Sequence, residues 1–129
     1  MPAIQRFEDL DVWKTSLELN DKIGAIIDRG AFNNNFRFIN QLEGSSGSVM
    51  DNIAGGFERG SRAEFIQFLG YSKGSCGEFR SQLYRALNRK NITEAEFETL
   101  YQLSVRISSM LQKFILYLQK TNINGIRRK

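Results

Sequence analysis

The chain of 129 residues contains no histidine. That absence removes the commonest general acid–base group, the commonest transition-metal ligand and any imidazole-assisted nucleophile. The carboxylate–histidine di-iron sites of helical bundles cannot be assembled either. The single cysteine, Cys76, has no partner for an intramolecular disulfide, which fits a reducing compartment. With Leu69 and Phe79 near it on one helical face and no group to activate it, Cys76 reads as a buried structural thiol. The only proline is Pro2, so no later segment meets a proline break. No apolar run approaches the roughly 18 residues that span a bilayer, and the N-terminus lacks a charged-then-apolar signal pattern. The expectation is a cytoplasmic protein with no membrane segment, no metal, no cofactor and no catalytic activity.

What is present is a globular composition, 41% hydrophobic and 25% charged, in a length suited to one domain. Eighteen basic and fourteen acidic residues leave a formal charge of +4. That surplus leans towards an anionic partner without deciding for one.

Four segments carry the three–four apolar spacing of bundle helices. The first spans about 9–28, with Leu10, Trp13, Leu17, Ile23, Ile26 and Ile27, and stops at a Gly- and Asn-rich stretch from Arg29 to Asn34. The second spans about 35–58, its seam being Ile39, Leu42, Ser46, Val49, Ile53 and Phe57. The third spans about 62–88 and the fourth about 94–120. Ser61-Arg62-Ala63-Glu64 and Thr93-Glu94-Ala95-Glu96 have the form of capping boxes at the last two starts. Short turns between long helices require antiparallel neighbours. The expected fold is all-α, an up-and-down four-helix bundle over 1–120 with a flexible basic tail at 121–129.

Eleven glycines are many for such a fold, since an interior one costs about 1 kcal/mol relative to alanine. Gly44, Ser48, Asp51 and Gly55 share one face of the second helix; Gly70, Gly74, Gly77 and Ser81 form a strip on the third. Either these strips are tolerated solvent faces, or they let another backbone approach, within the bundle or across a subunit interface. Gly44-Ser45-Ser46-Gly47-Ser48 lacks the strand and lysine of a phosphate loop, and a GxxG nucleic-acid clamp lacks its α/β setting.

Arg62, Lys73 and Arg80 project close to one line at the margin of the third helix's apolar face; Arg85 and Arg89 point elsewhere. With Arg59 they are candidate nucleic-acid contacts. The competing reading is that such side chains cover apolar surface or pair with Glu58, Glu64 and Glu78.

Phe7-Glu8-Asp9-Leu10-Asp11-Val12-Trp13-Lys14 resembles the opening of the 23S ribosomal RNA intervening-sequence protein family, also called the four-helix bundle protein family. Asn52-Ile53-Ala54-Gly55-Gly56-Phe57-Glu58-Arg59-Gly60-Ser61 is similar to its Asn-Ile-Ala-Glu-Gly-Phe-x-Arg-x-Ser signature, with Gly55 where the family usually has Glu. Glu64-Phe65, Phe68-Leu69, Gly74-Ser75, Glu78 and Gln82-Leu83 follow at the family's spacings. The resemblance implies a left-handed bundle assembling as a ring-like homopentamer. A related branch accompanies reverse transcriptases and binds nucleic acid and the polymerase. RNA or DNA binding by a basic surface is therefore the first functional expectation, and a protein adaptor, for example for a reverse transcriptase, the second. Asn52, Ser61, Glu64, Glu78 and Gln82 are the shared polar positions, read as structural; Arg59 either pairs with Glu64 or Glu78 or faces a phosphate.

Overall fold

The computed structural model describes residues 4–121, and among them four helices and no strand are found. They are α1 (Asp11–Asp28), α2 (Phe36–Glu58), α3 (Arg62–Asn88) and α4 (Glu94–Lys120), preceded by a 3₁₀ turn at Phe7–Asp9. The basic tail lies, beyond Thr121, outside the described residues. Asp9 belongs to the turn and not to α1, because Leu10 is extended and takes the N-cap place.

Each helix packs on two others: α1 on α2 and α4, α3 on α2 and α4. The core they enclose includes Leu19, Ile23, Leu42, Val49, Ile53, Leu69, Phe79, Leu83, Ile107 and Leu111, all fully buried. These recur at helical spacing, so one stripe of each helix faces inward. Arg29 after α1 forks onto Glu96 in the first turn of α4, with Nη2 donating to Oε1 at 3.0 Å and Nη1 to Oε2. Arg62 at the start of α3 donates to the carbonyls of Leu118 (3.0 Å) and Thr121, groups that the end of α4 leaves without an intrahelical donor.

The two capping boxes expected from the sequence are not equally complete. Thr93 and Glu96 form the full reciprocal capping box. At α3 only half of one exists. Ser61 Oγ accepts from Glu64 N at 3.1 Å, but the Glu64 carboxylate turns away to Arg59, which donates from Nε at 3.3 Å and Nη2 at 3.1 Å. A nearby guanidinium offers the carboxylate a charged partner in place of a neutral amide, and the charged bond is the stronger.

The small residues act differently from their expected role. A Cβ placed on Gly44, Gly70 or Gly74 would meet nothing within 4 Å, so these three bring no backbone together among the described residues. A Cβ on Gly55 would make ordinary contact with the Phe68 ring and one on Gly77 with Arg80. The close approach falls on Gly56, where a Cβ would stand 2.5 Å from Phe68 Cβ. Serines close the rest of the α2–α3 seam. Ser72 Oγ donates to the Val49 carbonyl at 2.6 Å, Ser45 Oγ donates to Gln82 Oε1 at 2.6 Å, and Ser75 and Ser48 hydroxyls lie 3.2 Å apart. A buried hydroxyl with such a partner avoids the desolvation cost of an unmade bond.

Candidate nucleic-acid interface

The formal charge of +4 conceals a division along the chain. Residues 1–58 hold five basic and nine acidic side chains, and residues 59–129 hold thirteen and five. After Glu98 no acidic residue occurs. Because α1 and α3 do not touch, the acidic first helix and the basic third occupy opposite corners of the bundle. The net figure alone missed this asymmetry, although a charge count by halves would have found it.

The basic corner contains a groove between α3 and α4 of about 510 Å³, lined by Lys73, Arg80, Tyr101, Val105, Ser108, Ser109, Gln112 and Lys113. Among the described residues no carboxylate lines it. Arg62, Lys73 and Arg80, the line seen in the sequence, all reach across to α4. Lys73 Nζ donates to Gln112 Oε1 at 2.8 Å and Arg80 Nη1 to Ser104 Oγ at 3.2 Å. Neutral acceptors fix these side chains without cancelling their charge, so the groove stays positive. Arg62 is taken up by the carbonyls at the end of α4 and does not line the groove. Lys113, which does, and exposed Arg106 on the same helix complete the basic surface.

An aromatic cluster adjoins the groove. Tyr84, one turn beyond Arg80 and 55% exposed, packs on Phe97 (centroids 5.0 Å apart) and Tyr101 (5.7 Å), while Phe97 and Tyr101 stack at 5.3 Å. A side-chain hydrogen bond with Tyr101 holds the Tyr84 phenol above its usual pKa.

The remaining candidates sit apart. Arg59 pairs with Glu64 and lies 5.2 Å over the Phe68 ring, so it ties the α2–α3 turn. Arg85 and Arg89 lie over the buried Phe38 ring, at 4.6 and 5.5 Å, at the far end of α3. Asn52 donates to the Ser48 carbonyl (2.9 Å) and hydroxyl (3.0 Å). Asn52, Ser61, Glu64 and Gln82 thus have hydrogen-bond partners within the chain, those of Ser61 and Glu64 at its surface, and Glu78 is exposed. Cys76 is fully buried, and burial pushes its thiol up to about 11 despite Arg80 and Ser104 nearby.

A family model described as the 23S rRNA-intervening sequence protein matches residues 8–113. The chain belongs to that family. A solved structure from Bacteroides thetaiotaomicron, described as a protein with unknown function from the S23 ribosomal protein family, is 24% identical. The two superpose with a TM-score of 0.74 over 85% of this chain and 99% of that one, which establishes a shared fold. No curated protein matches this member of the intervening-sequence family. Among the described residues no helix is long and apolar enough to cross a membrane, and no group of three or more possible metal-ligating side chains gathers.

Proposed function

We propose that this chain is a non-enzymatic, oligomeric helical bundle that binds nucleic acid through phosphate contacts along the α3–α4 groove. The observation that carries this reading is the groove itself, with Lys73, Arg80 and Lys113 along it and no carboxylate among its lining residues. A positively charged groove beside exposed aromatic rings is the arrangement that holds single-stranded nucleic acid with little sequence preference. Tyr84 is the ring available for stacking. The non-enzymatic part rests on the lack of histidine and on the buried, high-pKa thiol. Contacts between the end of α1 and the start of α4, and between the start of α3 and the end of α4, support an antiparallel up-and-down course. The left-handed form and the homopentamer follow the family resemblance, the cytoplasmic setting follows the lone cysteine and the missing spanning and signal patterns, and all three belong to the same proposal.

Fluorescence anisotropy with single-stranded RNA and DNA, titrated across salt, tests it. Binding should weaken steeply with salt, and Lys73→Gln with Lys113→Gln should lower the log–log slope by about 0.7 per phosphate contact removed. No binding at low salt, or salt-independent binding, refutes the groove reading. A pull-down of a partner protein that withstands nuclease would then favour the adaptor role.

A further inference from the structure

At the end of the bundle where α2 begins and α3 finishes, a cavity of about 380 Å³ is lined by Asn35, Arg37, Phe38, Gln41, Arg85 and Arg89. Half of its lining residues are arginines and none is acidic. Among the described residues, none of the three arginines has a carboxylate within salt-bridge distance. Arg85 and Arg89 stand four residues apart on one helix, a spacing at which like charges destabilise. Both are nevertheless held over the same ring, that of Phe38, which is itself buried. Arg85 Nη2 also donates to Gln41 Oε1 at 2.8 Å.

A purely structural account explains part of this. Cations near a helix C-terminus complement its dipole, which suits Arg85 and Arg89 at the end of α3. Arg37 resists the same account. It lies in the first turn of α2, where the dipole is positive and a cation is unfavourable. That turn carries no acidic residue, whereas Asp11, Glu64, Glu94 and Glu96 supply one or more in the first turns of the other helices. Three arginines thus line one hollow, two of them held over one ring, with no carboxylate among the described residues within salt-bridge distance of them. The missing complement is a compact group of high negative charge.

We propose that the Arg37–Arg85–Arg89 cavity binds a phosphate monoester, as the terminal phosphate of a nucleic-acid strand or as a free nucleotide. A monoester carries a charge of about −1.5 to −2 at neutral pH with three strong acceptor oxygens, matching three planar donor forks better than a diester or a carboxylate does. The volume is at the small end of the range for small-molecule sites, room for a nucleotide and not for a duplex. Phe36, 65% exposed, stands in the chain between Asn35 and Arg37 of the lining without itself lining the cavity. This site is distinct from the α3–α4 groove and does not depend on it.

The test compares a short single-stranded oligonucleotide bearing a 5′-phosphate, the same strand with a 5′-hydroxyl, adenosine monophosphate and inorganic phosphate. Each is titrated against the parent protein, Arg37→Gln, Arg89→Gln and the groove variant Lys73→Gln/Lys113→Gln. If the strand end is the source, the phosphorylated strand binds about tenfold tighter than the hydroxyl strand, the gain of one charge-assisted contact (about 1.4 kcal/mol). Arg37→Gln, at an exposed position where circular dichroism should show an unchanged fold, should abolish that preference. The groove variant should weaken both strands together and keep their ratio. If a free nucleotide is the source, adenosine monophosphate binds in the parent and in the groove variant and is lost in Arg37→Gln and Arg89→Gln. Equal affinity for the two strands with no binding of the nucleotide or of phosphate overturns the proposal, as does phosphate-dependent binding that survives both arginine variants. Loss of strand binding in the groove variant together with unchanged nucleotide binding would separate the two sites.

Discussion

A methyl group placed on Gly56 would lie 2.5 Å from Phe68 Cβ, and one placed on Gly74 would touch nothing. These two glycines, both within helices, should therefore respond to alanine in opposite directions. Gly56→Ala forces Phe68 off its place and is expected to destabilise by about 1–3 kcal/mol, the usual cost of overpacking. Gly74→Ala reduces the freedom of the unfolded chain without strain and should stabilise by up to about 1 kcal/mol. Urea denaturation midpoints measure both. Cys76 offers a second residue-level check. Burial, the largest influence on it, disfavours the thiolate and lifts the thiol to about 11. At neutral pH a thiol-reactive dye should label the native protein only as fast as the chain opens, and label the urea-unfolded chain rapidly. Equal rates would mean that the thiol is not sealed.

At the scale of the helices, the chain is tied where ends meet. Hydrogen bonds from Arg29 and, next, from the Thr93 backbone bring the Glu96 carboxyl down to about 2. An unfolded glutamate titrates near pH 4.3, so the folded state binds fewer protons than the unfolded state between these values. The stabilisation is present above the unfolded pKa and disappears as the pH falls towards about 2. Arg29→Gln should be less stable than the parent near neutral pH, and the gap should close as the pH approaches about 2. Chemical denaturation along a pH series follows it; a gap that stays constant would mean that the ionised pair contributes nothing. Ser61→Ala should cost about 1 kcal/mol through loss of its N-cap bond. The Thr93–Glu96 box was readable from four residues. The fate of Glu64 was not, because its competitor, Arg59, belongs to the preceding turn and is brought alongside only when that turn folds.

For the whole molecule, the segregation of charge gives the bundle a basic corner whose field exceeds what its net charge suggests. The open strips at Gly44, Gly70 and Gly74 offer surfaces on which another subunit's backbone can sit closely in the proposed homopentamer. Gly74→Leu should then lower the mass measured by light scattering while leaving helicity unchanged. A mass equal to that of the parent removes this strip from the interface.

The four helices follow from the sequence alone because a stripe of Leu, Ile, Val and Phe at three–four spacing can be buried only as amphipathic helices, and the polar breaks leave short connections. The seam residues Leu42, Ser46, Val49, Ile53 and Phe57 are legible for that reason and are buried, whereas Ile39, expected on the same seam, is half-buried and Phe38 beside it is buried. The absence of histidine likewise narrows the chemistry with no structure at all. Tertiary structure decided what depends on neighbours distant in the chain. Gly56 and not Gly74 is the tight position, because Phe68 comes from another helix. Arg62 serves the end of α4 and leaves Lys113 to complete the groove. Arg37, unremarked in the sequence, joins Arg85 and Arg89 across some fifty residues because α2 begins where α3 ends. Periodicity reports which face of a helix is buried; only packing reports which side chains of different helices meet.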